Sequence, residues 1–319
     1  MASPPPTRIV SMLASATEFA CALGLAEAVV GISHECDHPA EILDRPRVSR
    51  PRFDPESLSS GDIDLAVRAA MLEHGGVYEI DLERLESLDP DLVITQAVCE
   101  VCAVPTIGVV EALRERRLGA AVLSLDAHSL DDIVDSFRSV GRAGGVPARG
   151  EVLAREMEAR IESAQRTCAG ASRPRVLALE WLDPPFAPGH WVPEMIATAG
   201  GVDIIGTARR PSAEMEWDAL AELEPDALIV MPCGYGVDAA ARDADSHAAR
   251  LAAVAPRAIA EGRSWVVDAS AFFNRSGPRV VTGIEILAGL LHPDLSPAPP
   301  PGTFALWQPH GAGLSTGKG

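Results

Sequence analysis

Basic residues are scarce in this sequence relative to acidic ones. Lys and Arg number 27 and Asp and Glu number 45, which gives a net charge of −18 over 319 residues. A surface with this charge repels phosphate backbones and anionic lipid headgroups. We therefore expect no nucleic-acid partner.

Long apolar runs are also missing. No stretch reaches the roughly 18 uninterrupted apolar residues that suggest a membrane-spanning helix. The first residues, MASPPPTRIVSML, start with prolines instead of a basic segment, and the apolar run from Ile9 to Ala14 is too short for a secretory signal. These features predict a cytoplasmic protein with no membrane insertion.

Cysteines are few, with six in the whole chain. They are too sparse for a disulfide scaffold, and a reducing cytoplasm would keep them as thiols. Cys99 and Cys102 nevertheless have CxxC spacing in ITQAVCEVCAVP (94–105). In that compartment, the spacing predicts a metal site or a redox pair, and thiols that only pack are the remaining alternative.

Familiar catalytic motifs are absent as well. The sequence contains no GxSxG, no P-loop and no HExxH. We therefore predict that the protein is not an enzyme, with a thiol or redox enzyme based on Cys99 and Cys102 as the alternative.

One helix–strand unit occurs twice. LERLESLDPDLVITQ (82–96) is echoed by WDALAELEPDALIVMP (217–232). Each copy has the pattern of a short amphipathic helix that stops at a Pro-Asp pair, followed by a strand apolar enough to be buried on both faces. Strands and helices alternate around both copies, which predicts an α/β protein with two parallel-sheet, Rossmann-like lobes.

The segment between the two copies predicts how the lobes are joined. After Gly144, Gly145 and Pro147, the pattern is that of one long helix over residues 148–168, with no further strand. The tail from Pro293 is rich in Pro and Gly and is expected to be irregular, with Phe304 and Trp307 able to attach it. The predicted divisions are an N-terminal lobe (1–127), a connecting helical segment (128–171), a C-terminal lobe (172–292) and a tail (293–319).

Unusual side chains gather in the loops that follow the predicted strands. In open parallel sheets, ligands bind beyond the carboxyl ends of the strands. Cys36, Cys99, Cys102 and Cys233 all lie in such loops, and four thiolates could form a tetrahedral zinc site. A neutral imidazole of His190 could coordinate cobalt, iron or zinc.

Aromatic residues are few, with seven Phe, five Trp and two Tyr. Several of them nevertheless share the post-strand loops of the second lobe. An aromatic wall at that edge suits a bulky planar ligand, although the same residues could simply cover the end of the sheet. The aromatic residues concerned are Trp181, Phe186, Trp191, Tyr235, Phe272 and Phe273.

The opening RIVSMLASATEFACALGL resembles that of the helical-backbone solute-binding proteins, which include periplasmic cobalamin-, haem- and siderophore-binding proteins. The family opening is a strand, Leu-Pro-Ser and a Glu in the first helix; here the match is Leu13-Ala14-Ser15 with Glu18. The motifs SHECDHP, TQAVCEVCAVP, GHWVPEM and NRSGPR resemble a branch labelled cobalamin-binding protein. The resemblance spans residues 8 to about 292.

The resemblance implies two α/β lobes, a backbone helix and a ligand held in a cleft between the lobes. The leading hypothesis is a cobalamin-type corrinoid or similar metal chelate, the alternative ligand is a zinc-like metal on the cysteine cluster, and an ABC permease partner is left open. A guanidinium such as that of Arg275 could pair with a carboxylate or phosphate of the ligand. The predicted ligand contacts are Ser15, His34, Glu35, Cys36, Gln96, Cys99, Cys102, Trp181, His190, Trp191, Tyr235 and Arg275.

Overall fold

The computed structural model describes residues 5–55, 57–97 and 104–309. The chain divides into two compact units. The first comprises Met1–Glu162 with Arg275–Val281, and the second comprises Ser163–Asn274 with Thr282–Gly319. Each unit contains helices and a sheet of parallel strands, to which the second unit adds one antiparallel edge strand, so the predicted α/β class is confirmed.

The first unit is built on a four-stranded parallel sheet. The strands of the unit are β1 (Ile9–Ser11), β2 (Val29–Ile32), β3 (Ser49–Pro51), β4 (Tyr78–Ile80), β5 (Leu92–Thr95) and β6 (Ala121–Ser124). The sheet order is β2-β1-β5-β6, while β3 and β4 form a separate antiparallel pair. Strand β5 is buried along its whole length, and its first three residues, Leu92-Val93-Ile94, are accordingly all apolar instead of alternating with polar ones.

Helices connect the strands of this unit. They are α1 (Ala14–Ala22), α2 (Ser60–His74), α3 (Leu82–Leu88), α4 (Thr106–Glu115), α5 (Leu130–Ala143) and α6 (Pro147–Thr167), with single 3₁₀ turns at Ala26–Ala28 and Ala40–Ile42. Ser129 begins α5 by accepting a hydrogen bond from the Asp132 amide at 3.2 Å. Helices α5 and α6 approach closely, since a Cβ on Gly150 would lie only 2.6 Å from the Phe137 carbonyl oxygen.

Helix α6 is the long helix that the sequence predicts between the lobes. The structure has one helix over Pro147–Thr167, against the predicted span 148–168. The chain passes from the first unit to the second within this helix, after Glu162. The predicted domain divisions place the change of lobe in the same region and otherwise stay a prediction.

The second unit has its own five-stranded sheet. The strands of the unit are β7 (Arg175–Leu179), β8 (Trp181–Leu182), β9 (Pro185–Ala187), β10 (Val202–Asp203), β11 (Ala213–Glu214), β12 (Ala227–Val230), β13 (Ser264–Val267) and β14 (Phe304–Leu306). The main sheet has the order β10-β7-β12-β13-β14, and β11-β9-β8 form a small antiparallel sheet. The two copies of the sequence repeat therefore supply β5 and β12, each in a different sheet.

The helices of the second unit are mostly short. They are α7 (Val192–Thr198), α8 (Trp217–Leu220), α9 (Val237–Ser246), α10 (Ala248–Val254), α11 (Pro256–Ala260), α12 (Ala269–Phe272) and α13 (Val280–Leu291). Over the parts of the chain that the structure describes, no helix combines the length and apolar character that crossing a membrane requires.

The tail is more ordered than its composition predicts. Strand β14 pairs antiparallel with β13 at the edge of the sheet. Trp307 follows it, is buried, and donates its indole N–H to Asp245 at 2.9 Å. Pro and Gly content pointed to an irregular segment, but the unpaired edge of β13 gives this stretch a partner that composition does not reveal.

Candidate functional site

The loop Ser33–Asp37 follows β2 at the carboxyl edge of the first sheet. Within it, the Cys36 amide donates to the Ser33 carbonyl at 3.2 Å, and the Glu35 amide donates to Ser33 Oγ at 3.1 Å. These bonds form a tight turn that presents the imidazole of His34 and the carboxylate of Glu35. Parallel-sheet proteins bind ligands at such an edge, so the loop is the main candidate site of this unit.

One arginine side chain, that of Arg47, binds the backbone carbonyl groups of this loop. Arg47 Nη1 donates to the carbonyl oxygens of Ser33, His34 and Cys36, each at 2.9 Å. Arg47 precedes β3 and is held against the end of β2 by a parallel bridge to Ile32. Because a guanidinium is always charged and carries five donors, it can satisfy several carbonyls that no strand partner reaches.

A second arginine comes from a distant part of the sequence. The guanidinium of Arg275 donates through Nη1 to Asp37 Oδ1 and through Nη2 to the Glu35 carbonyl oxygen at 3.0 Å. Its side chain is only 14% exposed. The structure therefore engages Arg275 with the loop itself, whereas the sequence predicts that it contacts a ligand. The ligand contact stays a prediction.

These neighbouring side chains lower the pKa values of the two loop carboxylates, Asp37 and Glu35. Burial alone would raise the pKa of Asp37, but the hydrogen bond and charge of Arg275 outweigh it and hold that pKa below its usual range. For Glu35, the hydrogen bond from the His34 side chain is the main cause of a lowered pKa. Both groups are therefore ionised near neutral pH, and the loop carries negative charge next to the positive charge of Arg275.

The segment Arg275–Val281, called here the return segment, is anchored again by Arg279. Arg279 binds Glu18 of α1 through two parallel hydrogen bonds, Nε to Oε2 at 2.9 Å and Nη2 to Oε1 at 2.7 Å. The Glu18 side chain is 4% exposed. A Cβ on Gly277 would lie 3.1 Å from Ser15 Cβ, so a larger residue here would require the segment or α1 to shift by a few tenths of an ångström.

His34 and Ser15 are both predicted ligand contacts, and each already has a protein partner. His34 Nδ1 lies 2.8 Å from Ser49 Oγ, and its ring stacks obliquely on Tyr78 with centroids 4.6 Å apart. Ser15 is fully buried, and its hydroxyl lies 3.4 Å from that of Ser276. The structure therefore gives Ser15 a packing position and leaves the partly exposed His34 as the better candidate.

The side chain of Cys36, a residue of this loop, is buried beneath the loop backbone. It is 1% exposed, and its sulfur lies 3.1 Å from Thr17 Oγ1. Burial raises the pKa of the Cys36 thiol, so the protonated form dominates near neutral pH. Metal coordination needs the thiolate, and burial disfavours that form at this position.

The predicted cysteine cluster is only partly described. Cys99 and Cys102 lie outside the described residues. Cys233 is exposed and follows β12 in the second unit. Among residues 5–55, 57–97 and 104–309, no group of three or more His, Cys, Asp or Glu side chains is arranged to hold a metal ion. The zinc site and the redox pair therefore stay predictions.

Gln96 directly follows β5 and precedes the CxxC region. It is buried, its carbonyl oxygen accepts a hydrogen bond from the Thr106 amide at 2.9 Å, and it forms a parallel bridge with Pro105. In the loop that follows the neighbouring strand β6, Asp126 accepts from the Ala97 amide at 2.6 Å. These contacts fix the two ends of the region that contains Cys99 and Cys102.

The second unit presents an aromatic surface at the same kind of edge. Trp181 and Phe186 are directly opposite each other on the antiparallel strands β8 and β9, so their side chains share one face. Tyr235, in the loop after β12, packs edge-on against Trp181 with ring centroids 5.4 Å apart. All three are partly exposed. Trp181, Phe186 and Tyr235 are called the aromatic surface from here on.

Trp191 does not share the exposure of that surface. It is 8% exposed and donates its indole N–H to the Phe273 carbonyl oxygen at 2.7 Å. Phe273 is itself fully buried. The structure buries both residues within the second unit, whereas the sequence offered only ligand contact or covering of the sheet end as their roles. The ligand contact of Trp191 stays a prediction.

His190 is held in an unusual backbone conformation. Its φ is +49°, a left-handed value that costs energy for residues other than glycine. Its amide donates to the Arg210 carbonyl at 2.6 Å, and its carbonyl accepts from the Arg209 amide at 2.8 Å. These two hydrogen bonds fix the backbone from which the partly exposed imidazole projects.

Sequence reasoning missed Arg47 and Asp37 as residues that organise the loop. Arg47 lies in RPRVSRPRF, where nothing distinguishes it from neighbouring arginines. Asp37 lies inside SHECDHP, but its partner is 238 residues away. The Glu18–Arg279 pair was also missed, although both residues lie in the motifs that carry the family resemblance.

Comparison with known proteins identifies the family of the chain. A family model described as "Periplasmic binding protein" matches residues 9–264. A vitamin B12-binding protein of Vibrio cholerae is 23% identical over 284 residues, which cover 88% of this chain and 87% of that protein. An uncharacterized ABC transporter substrate-binding lipoprotein of Bacillus subtilis is 25% identical over 301 residues, covering 91% and 81%.

Solved structures show the same fold. The periplasmic vitamin B12-binding protein of Vibrio cholerae matches with a TM-score of 0.66 at 22% identity, covering 90% of this chain and 97% of that one. A periplasmic heme-binding protein of Pseudomonas aeruginosa matches with a TM-score of 0.66 at 22% identity, covering 91% and 94%. The resemblance predicted from the opening and loop motifs is thus confirmed.

The predicted cytoplasmic location is wrong. The similar proteins are described as periplasmic or as a transporter lipoprotein, which indicates a location outside the cytoplasm. The prediction rested on features that the first residues lack, and such an absence carries no information about location. The assumption of a reducing compartment, used above for the cysteines, loses its basis as well.

Proposed function

Because the chain belongs to the periplasmic binding protein family, we propose that it binds a cobalamin-type corrinoid, or a related metal tetrapyrrole, and delivers it to an ABC permease. The family membership supports a ligand-binding role. Similar proteins bind vitamin B12 or heme according to their descriptions, and both ligands are large macrocycles with a flat apolar ring system.

The aromatic surface is the observation that carries the proposal. Three aromatic rings lie at the carboxyl edge of the second sheet and remain partly exposed, although burial would be expected for such apolar groups. Ring faces of this size contact planar ligands through dispersion and apolar burial. A metal ion alone offers no apolar area to such a surface, so the aromatic surface favours a macrocycle over a bare metal.

The remaining proposed ligand contacts are polar side chains. In the first unit, His34 and Glu35 lie on a loop whose carbonyl groups from Ser33 to Cys36 already accept hydrogen bonds from arginine side chains, which leaves the His34 and Glu35 side chains for ligand contact. In the second unit, His190 is held by its backbone and presents an imidazole, which can bind a metal centre when neutral. We propose His190 as a polar ligand contact that the second unit offers, and His34 and Glu35 as those that the first unit offers.

Replacing Trp181 with alanine tests the aromatic surface. We expect the dissociation constant for cyanocobalamin to rise by about 30-fold, since loss of an aromatic contact and its buried area costs about 2 kcal/mol. Isothermal titration calorimetry would measure both proteins under identical conditions.

The matched control is Trp181→Phe, which keeps an aromatic ring at the same position of β8. It should retain most of the affinity. If Trp181→Ala binds as tightly as the unsubstituted protein, the aromatic surface is not a ligand contact and the proposal loses its main support.

A further inference from the structure

Four consecutive carbonyl groups of the loop Ser33–Asp37 accept hydrogen bonds from two guanidinium groups. Arg47 takes those of Ser33, His34 and Cys36, and Arg275 takes that of Glu35. Buried carbonyls normally find partners in strands or helices, and this loop has neither beyond its single turn bond. The carbonyl groups of the loop are therefore held by two arginine side chains instead of by secondary structure.

The two arginines differ in how they reach the loop. Arg47 lies 11 to 14 residues away and bridges to β2, so local folding places it. Arg275 lies 240 residues from Glu35, at the start of the return segment. The chain enters this segment from Asn274 and leaves it at Thr282, and both of these flanking residues belong to the second unit.

We infer that Arg275 is a positioning residue that holds the loop Ser33–Asp37 in its shape through Asp37 and the Glu35 carbonyl. The loop is thereby linked, through the covalent chain, to residues that flank the return segment in the second unit. The importance of this shape for ligand binding rests on the proposed function, but the shape itself does not.

The electrostatics of the contact fit this role. Arg275 is nearly buried and faces Asp37 and Glu35, with Glu18 contributing more distantly. Arg279 reaches Asp37 as well, with Nη2 3.7 Å from Oδ1, but it is mainly engaged with Glu18. Loss of Arg275 therefore leaves Asp37 with one weak cationic neighbour and leaves the Glu35 carbonyl without this donor.

Cys36 provides a reporter of loop shape that needs no ligand. Its sulfur is buried beneath the loop, so it reacts with an alkylating reagent only when the loop opens. Cys168, at the end of α6 in the second unit, is also buried and reports opening elsewhere. Alkylation of the full-length protein with iodoacetamide, followed by peptide mass spectrometry, gives separate rates for the two.

Arg275→Ala should raise the alkylation rate of Cys36 by about tenfold or more, as expected for loss of hydrogen bonds to a charged group, and leave Cys168 unchanged. Asp37→Asn should give a smaller rise, because the Glu35 carbonyl keeps its donor. The matched control is Arg50→Ala, which removes an exposed ion pair with Glu79 in the same unit and should leave both rates unchanged.

Two results would overturn the inference. An unchanged Cys36 rate in Arg275→Ala would mean that the loop keeps its shape without Arg275. Equal rises at Cys36 and Cys168 would mean that the substitution opens the whole protein instead of positioning a loop. Titration of the same variants with cyanocobalamin and with hemin separates the two proposals, since failure of the unsubstituted protein to bind either compound contradicts only the proposed function.

Discussion

Replacing Arg279 with alanine should lower the free energy of unfolding by about 3 kcal/mol, one of the largest effects expected in this chain. Arg279 forms two parallel hydrogen bonds to Glu18, whose side chain is almost fully buried within α1. Removing the guanidinium leaves a carboxylate without its counter-charge in a place that water hardly reaches. Urea unfolding followed by circular dichroism would measure the loss.

A second substitution shows whether the stability is lost because the Glu18 charge is left unpaired or only because contacts of Arg279 are lost. Adding Glu18→Gln to Arg279→Ala removes the uncompensated charge and should restore part of the lost stability. The control Arg50→Ala removes an exposed pair and should cost less than about 1 kcal/mol. If Arg279→Ala costs no more than this control, the buried pair does not hold the return segment against α1.

Replacing Trp191 with alanine should lower the free energy of unfolding by about 3–5 kcal/mol, as for other large aromatic side chains deleted from a core. Trp191 is 8% exposed, and its indole N–H donates to the Phe273 carbonyl. The substitution creates a cavity and leaves that carbonyl without this donor. The measurement is again urea unfolding, followed by circular dichroism because the substitution changes the fluorescence.

Trp181→Ala is the informative comparison for this prediction. Trp181 is partly exposed, so its replacement should cost clearly less stability than that of Trp191 while it weakens ligand binding. The sequence predicted the same ligand role for both tryptophans. Equal losses of stability in the two variants would contradict the distinction that the structure makes between a core residue and a surface residue.

The fold could be predicted from sequence because its signals are local and repeated. A helix, a Pro-Asp stop and a fully apolar strand occur twice, and each copy forms a buried parallel strand of its own sheet. The long apolar-faced pattern after Pro147 likewise forms one helix. The return segment was not predictable in this way, since its place in the first unit depends on pairings across 261 residues.

The candidate site could be predicted only in part. The loops were identified because parallel strands direct their carboxyl ends to one edge, and the loop Ser33–Asp37 and the aromatic surface both lie at such edges. The roles of individual residues were harder to predict. Arg275 could pair with a ligand or with Asp37, and Trp191 could line a surface or fill a core; sequence alone does not distinguish these alternatives because each depends on burial.

The central claim, that this protein binds a cobalamin-type corrinoid or related metal tetrapyrrole, is tested most directly by titrating the purified protein with cyanocobalamin and, separately, with hemin. Visible absorbance and tryptophan fluorescence would follow both titrations. The account predicts saturable binding of at least one of the two with a dissociation constant of about 1 μM or tighter, equivalent to roughly −8 kcal/mol. No saturable change with either compound, in a protein whose circular dichroism shows it to be folded, would contradict the claim.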